Sequence, residues 1–589
     1  MVLCEERLYE SGPIGRAAQI RDARGGDGSL EKRLPKVVIW GGGVAGMSAA
    51  HELAERGFEV SVYEARSVPG GKARSMEAKG TGTDGRKDLP GEHGFRFFPK
   101  FYRHVTDTMK RIPLASGPGS GRLDHLLGYG RTSVFDNLVE GTRLGLAFDD
   151  RSMLPFLTEF PESISDLKVL FTSLFENHLG LTAEEASLYG TKLFELASSS
   201  KLRRYLDYQR VSWWDFIEAD KQSEQYKRIF VGLSRILVAA KAQEANACTI
   251  GTVGATLMLD MVTPGGSADR LLNGPTNEAW LFPWYEHLES MGVKFYRDAP
   301  LKAIHCEKGV VTGGTVLLDG QEQLVVGDCY IAALPVEVMA GLLTEELVQA
   351  DPLLGSIRPL SESVEWMNGV QFYLNEDVEL IHGHIICMDS PWALTLVSQK
   401  QFWPGIDLSE YGNGNVRGVL SVDVSDWESE GVLFGKPAMK CSAEEIKQEV
   451  WQQLKDHFNH GADVLHDGLL EAWFLDEDIQ FPNPHEATNM EPLLVNRVHT
   501  WDLRPNAYTA IPNFYLASDY VRTNTDLATM EGANEAARRA VNAIIDHYEI
   551  KADKCRIWDM YAFDLLALWQ RNDKSRWEDG LPWNGKIVG

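Results

Sequence analysis

Gly41, Gly43 and Gly46 fall within one six-residue turn, Gly41-Gly42-Gly43-Val44-Ala45-Gly46, and Glu64 follows 18 residues beyond it. Residues of these types at this spacing suit the binding of a dinucleotide. Gly41 makes the tight turn, Gly43 lets the backbone come up against a pyrophosphate, and Gly46 permits close packing of a helix on a strand. Val44 and Ala45 stand at the helix start, where unbonded N–H groups and the positive dipole end face an anion. Glu64, with Ala65 beside it, can accept hydrogen bonds from a ribose. Further on, Gly70-Gly71-Lys72-Ala73-Arg74 adds two glycines for backbone contact and two cations to meet phosphate charge.

Such a turn needs a strand before it and a helix after it. Val37-Val38-Ile39-Trp40 is a short apolar run of mainly β-branched residues, suited to a strand buried on both faces. Met47–Arg56 reads as a helix ended by Gly57, and Phe58–Tyr63 as a second strand closing in Glu64. Near the other end, Ile511–Tyr520 reads as a buried strand running into the acid Asp519. Thr529-Met530-Glu531-Gly532-Ala533 then opens a helix of small residues.

The stretch Arg66–Ser75 resembles the R-x-G-G-[RK]-x-x-S motif of the flavin amine oxidase and phytoene desaturase superfamily, which also ends with a strand, an acid and an E-G-A helix start. The chain looks like plant-type phytoene desaturases and hydroxysqualene dehydroxylases over most of residues 36–550. Val211–Phe216, Asp269-Arg270-Leu271-Leu272, Asp519-Tyr520 and Ala528–Ala533 are the further matching pieces. The resemblance implies FAD, held noncovalently, since no Cys stands just before Asp519. It places Gly70, Gly71, Lys72 and Arg74 along the pyrophosphate and ribityl chain, and Asp519 at the same region. It directs the Met530, Glu531 and Ala533 turn toward the isoalloxazine, and makes Leu301 the candidate adenine-side contact. Ser518 departs from the glycine common there.

The implied fold is α/β: a discontinuous Rossmann-like FAD-binding domain with an inserted α+β substrate domain. Residues 36–110, 285–345 and 490–550 form the FAD-binding domain, 111–284 the helical part of the substrate domain and 346–489 its sheet. Residues 1–35 are a polar leader and 551–589 a Trp-rich extension, with Trp558, Trp569, Trp577 and Trp583 read as packing anchors. Within 150–262, Leu154–Leu157, the run from Leu167 and the run from Arg228 read as amphipathic helix faces. Val416–Asp423 reads as an alternating strand.

The resemblance also implies hydride transfer from a small or lipophilic substrate to flavin N5, with oxygen or a quinone as acceptor. Arg270 is then a catalytic candidate through its D-R-L context. Arg96 is another: in Pro90–Tyr102 it takes the place of a family histidine, where it could grip a substrate carboxylate or pair with Glu92 or an FAD phosphate. Tyr508 joins them, with Phe95, Phe97 and Phe98 as apolar walls or core. Two other readings stay open: an amine or L-amino-acid oxidase using Arg96, and a redox-neutral FAD isomerase or scaffold.

Composition sets the outer bounds. The chain has 589 residues, 44% hydrophobic and 24% charged, which is ordinary globular usage. Its net charge of −26 would repel phosphate backbones, so no nucleic-acid partner is expected. Seven scattered cysteines without a C-x-x-C pair suit a reducing, cytoplasmic setting. His382 and His384 are the one metal-like spacing, and no metal is expected. No apolar run reaches the ~20 residues of a membrane span; peripheral membrane contact stays open for a lipophilic substrate.

Overall fold

The structure is a computed structural model that describes residues 33–114, 132–157, 179–261, 267–560 and 566–588. Val37, Val38, Ile39 and Trp40 are completely buried at the centre of a five-stranded parallel sheet. Its order is Phe514–Leu516, Cys329–Ala332, Lys36–Trp40, Glu59–Tyr63 and Lys294–Tyr296. The strands come from three separate stretches of chain, each bringing β-branched and aromatic residues that suit a sheet covered on both faces. The helices Val44–Glu55 and Met530–His547 pack together on one face. A three-stranded antiparallel sheet, Leu301–Glu307, Val310–Leu318 and Gln321–Val325, covers Trp40, whose ring a Cβ on Gly314 would strike at 2.5 Å.

A second, seven-stranded sheet runs Leu470–Leu475, Asn368–Leu374, Gly418–Val424, Leu394–Ser398, Ile385–Cys387, Arg143–Ala147 and Leu154–Leu157. Its last two strands correct the sequence reading. Leu154–Leu157, expected as a helix face, is an edge strand paired with Arg143–Ala147, and Pro155 sits where an edge tolerates a missing N–H. The helical segment therefore also contributes strands. The expected face from Leu167 lies outside the described residues. The run from Arg228 is helical, a π turn over Lys227–Val231 continuing into Gly232–Val238. The helices Ala183–Ser198 and Ala247–Met261 pack on each other beside the sheet.

The C-terminal tryptophans anchor the extension. Trp577 donates to Asp207 and Trp583 to Ser198, both at 3.0 Å, while Trp558 meets the His104 ring at 5.1 Å. Among the described residues no helix is long and apolar enough to cross a membrane.

Candidate active site

One continuous cavity of about 760 Å³ joins the two sheets. Gly41, Gly43, Val44, Ala45, Glu64 and Ala65 line one end. Gly41 holds φ +102°, and a Cβ there would lie 2.3 Å from the Ala333 carbonyl oxygen. Gly46 is outside the wall; a Cβ on it would reach within 1.9 Å of the Gly41 oxygen, so its task is to seat the helix under the turn. The second glycine stretch lies on the first: Gly70 N donates to Gly42 O at 2.8 Å, and a Cβ on Gly71 would stand 3.1 Å from Gly43 Cα. Gly70 and Gly71 have φ +119° and +56°, left-handed backbone that suits glycine. Bare backbone thus floors the groove where a pyrophosphate would pass.

The Glu64 carboxylate accepts from Gly42 N at 2.6 Å and Arg66 N at 2.8 Å, and burial pushes its carboxyl above the usual range. Each oxygen keeps a lone pair for a ribose hydroxyl. Lys72 lines the cavity, donating to Pro492 O and standing 3.6 Å from Glu337. Arg74 does not reach the wall. It bonds Asp478 at 2.8 Å, Glu491 at 3.1 Å and Gly71 O at 2.8 Å, so it pins the glycine loop instead of meeting phosphate directly.

At the C-terminal station Asp519, Met530 and Ala533 line the cavity, as does Leu301. Arg504, which sequence reasoning passed over, fixes the Asp519 loop: it donates to Asp519 O and Tyr520 O and pairs with Asp526 inside the protein. Thr529 caps the helix from Met530 by accepting from Gly532 N at 3.1 Å. Glu531 turns away from the cavity. It accepts from Arg103 N, His104 N, His104 Nδ1 and Val105 N at 2.7 to 2.9 Å, capping the helix His104–Arg111. An acid there offsets the unbonded N–H groups and the dipole of that helix.

The segment Glu92–Phe97 crosses between the two ends. It rests on the large sheet at Gly369, where a Cβ would meet Glu92 O at 2.8 Å. Arg96 lines the cavity and donates to Lys72 O at 2.8 Å and Ala73 O at 3.2 Å. Burial lowers its pKa, against the pull of Glu92, Asp423 and Asp476. Burial likewise pushes the Glu92 and Asp423 carboxyls up to about 7. His384, on the strand Ile385–Cys387's leading edge, places Nδ1 2.7 Å from Asp269 Oδ2, and His93 Nδ1 lies 2.6 Å from Asp476 Oδ2. Asp269, His384, His93 and Asp423 all line the cavity. Local sequence carries little signal for them: Asp269 stands out only as the neighbour of Arg270, and His384 only as half of a metal-like pair.

Arg270 and Tyr508 stand outside the wall. Arg270 donates to Phe98 O at 3.1 Å and Pro99 O at 2.9 Å, holding the segment that carries Arg96. Tyr508 packs against the flanking core and accepts from Asn506 at 3.1 Å. Phe95 and Phe97 line the cavity, whereas Phe98 is wholly buried. His93, Asp476 and Asp478 are close enough to one another to hold a cation. Asp478 is already paired with Arg66 and Arg74 at 2.9 and 2.8 Å, and Asp476 accepts from Asn368 at 2.6 Å, the pattern of an ion-pair network. His382 turns to Thr142 and Phe402, away from His384's partner.

Beyond Arg96 the cavity becomes an apolar lobe. Leu144, Phe156, Ile229, Leu233, Val253 and Met258 are among its walls, drawn from the sheet edge and the helical insert. The buried set Thr249, Asn496 and Asp526 ties that insert to the nucleotide end, with Thr249 donating to Asp526 at 2.8 Å and Asn496 at 2.9 Å.

The comparisons with known proteins agree with this geometry. The profile of the flavin containing amine oxidoreductases matches residues 44–545. A zeta-carotene desaturase of Synechocystis sp. is 26% identical over 539 residues, spanning 87% of this chain and 97% of the relative. The chloroplastic/chromoplastic zeta-carotene desaturase of Arabidopsis thaliana is 24% identical, spanning 88% and 86%. Among solved structures, a cyclohexylamine oxidase from Brevibacterium oxydans superposes with TM-score 0.54 at 14% identity, covering 87% of this chain and 99% of that one. The bare glycine floor, the Glu64 acceptor and the capped helix at Met530 fit the flavin dinucleotide that this similarity implies. The chain belongs to the flavin-containing amine oxidoreductase family, and is a flavin-dependent oxidoreductase of its amine oxidase and carotenoid desaturase branch.

Proposed function

We propose that the protein is an FAD-dependent desaturase of lipophilic, isoprenoid-like substrates. The observation that carries this reading is the continuity of the cavity: a groove floored by glycine opens past Arg96 into a lobe walled by aliphatic and aromatic side chains. Burying an apolar chain there supplies about 25 cal/mol per Å² of surface removed from water, which a small polar amine would not gain. FAD held over the Gly41–Gly46 turn and by Glu64 would supply the hydride acceptor. The protein's part is to align the substrate and keep water out: Phe95 and Phe97 narrow the passage, and Gly254 leaves open space on the lobe wall.

The relatives named for zeta-carotene desaturation support the same substrate class. The cysteines among the described residues are buried away from the cavity wall, in keeping with noncovalent FAD. Buried thiols and an acidic chain suit the cytoplasm, with a quinone or oxygen as acceptor and membrane contact at the lobe's mouth. The oxidase reading with Arg96 on a carboxylate is disfavoured because the Arg96 guanidinium already donates to Lys72 O and Ala73 O, and above about pH 7 an anionic substrate would join the charges of Glu92 and Asp423.

Anaerobic titration of the yellow holoenzyme tests the proposal. Zeta-carotene in detergent micelles is expected to bleach the visible flavin band, with amines and amino acids inert. Bleaching by amines alone would overturn it.

A further inference from the structure

Desaturation removes two hydrogens from adjacent carbons, and only one leaves with its electron pair. The other leaves as a proton, its C–H electrons becoming the second bond of the new double bond. That proton needs an acceptor, and the desaturase reading on which this argument rests does not name one. The neck between the glycine-floored groove and the apolar lobe holds a buried group with the chemistry required.

Asp269 accepts from His384 twice, from the backbone N at 3.2 Å and from Nδ1 at 2.7 Å. A carboxylate can only accept, so Nδ1 carries the hydrogen, and in the neutral form of the ring the lone pair stands at Nε2. Nε2 is buried and has no hydrogen-bond partner among the described residues. The rings of Phe95 and Phe97 sit 4.7 and 4.8 Å from the imidazole and screen it from water. Asp423 accepts from the Phe95 backbone and feels the charges of Arg96 and of both imidazoles, His93 and His384, and its Oδ1 lacks a partner among the described residues.

Glycines make room for the cluster. A Cβ on Gly94 would stand 2.6 Å from Asp423 Oδ1, and one on Gly141 would stand 2.7 Å from Asp269 Oδ2. The sheet register sets Thr395 and Gly369 on either side of Asp423. His384 is 8% exposed and Asp423 7%, so His384 Nε2 and Asp423 Oδ1 are unpartnered polar atoms deep in the protein, an arrangement that costs stability and is best explained by a task.

We infer that His384, oriented by Asp269 and backed by Asp423, accepts the proton that leaves the substrate alongside the hydride. The C–H bond breaks toward His384, an N–H bond forms at Nε2, and the resulting imidazolium is held by the Asp269 carboxylate at Nδ1 and feels the Asp423 carboxyl. Burial that keeps Asp423 protonated up to about 7 makes its charge, and hence its support of the imidazolium, depend on pH near neutrality.

Two measurements decide the matter. Nitrogen-15 NMR of histidine-labelled holoenzyme, assigned with His384→Gln, reads the tautomer directly without any substrate. The inference expects the hydrogen on Nδ1 and a bare Nε2, and a hydrogen on Nε2 in the neutral ring would overturn it. Anaerobic flavin reduction by zeta-carotene is then compared in wild type, His384→Gln and Asp423→Asn, each matched for flavin content. His384→Gln should slow reduction about 100-fold, and Asp423→Asn should flatten the pH profile between about 6 and 8. If wild type is reduced and His384→Gln is equally fast, the inference falls while the desaturase reading stands. If zeta-carotene leaves wild type oxidised, the desaturase reading and the proton step fall together. Should His384→Gln not fold, Asp423→Asn carries the kinetic test through the same pH profile.

Discussion

The nucleotide groove and the substrate lobe share one cavity but are built on opposite plans. In the groove, contact is made by backbone. Gly41, Gly43, Gly70 and Gly71 strip side chains from its floor, and Arg74 and Asp478 pair behind it while Arg74 also holds Glu491 on the wall. At the lobe's neck, contact is made by side chains, and several ionisable groups are left incompletely paired. A groove of backbone needs a fixed sequence at one turn. A cluster such as Asp269, His384 and Asp423 needs only that distant strands meet in the right register.

The groove should break most completely. Gly46→Val would thrust a Cβ to within 1.9 Å of the Gly41 oxygen. A loss of at least about 2 kcal/mol in stability and of bound flavin is expected, read from the thermal midpoint and the flavin-to-protein absorbance ratio. Glu64→Gln keeps the shape but removes the charge that would meet a ribose hydroxyl. Affinity for FAD should fall about tenfold to a hundredfold, measured by fluorescence quenching of added FAD.

The lobe should yield without disturbing the groove. Gly254 borders the cavity with nothing within 4 Å of a Cβ placed on it. Gly254→Phe should leave flavin content unchanged while raising KM for a long isoprenoid about tenfold, or about 1.4 kcal/mol of binding. Unchanged KM would show that the chain does not lie along that helix.

The smallest effect concerns Glu92 at the boundary between the two. Its carboxyl is raised from 4.5 to about 7 by burial, against the pull of Arg96. The folded chain therefore binds more protons than the unfolded chain between those values. Stability from this group is full below about 4.5 and declines as pH rises through about 7. Glu92→Gln should remove that decline, narrowing the gap in thermal midpoint between about pH 5 and about pH 8 by about one to three degrees.

The same contrast explains what the sequence disclosed. The strand, turn and helix around Gly41–Gly46 are local, so residue order alone reveals them, and the acid at Glu64 follows from strand length. At Glu531 the E-G-A motif fixes a helix start, while the side chain's partners, His104 and its neighbours, lie some 430 positions away in sequence and leave no local signal. Arg270 is a similar case: its D-R-L context locates the strand, but its guanidinium turns to Phe98 and Pro99 instead of the cavity. Leu154–Leu157 showed apolar residues at a spacing too short to separate helix from edge strand. Asp423 and His384 could be read as alternating polar positions of a sheet; nothing local told that Gly94 and Gly141 would clear the space for them and their partners.

Flavin reduction in the intact holoenzyme, followed without oxygen while zeta-carotene is added from micelles, probes both regions at once. The account predicts loss of the visible flavin band at the carotenoid's expense, with one new double bond per flavin reduced. A flavin that stays oxidised with every carotenoid yet bleaches with a primary amine would contradict it.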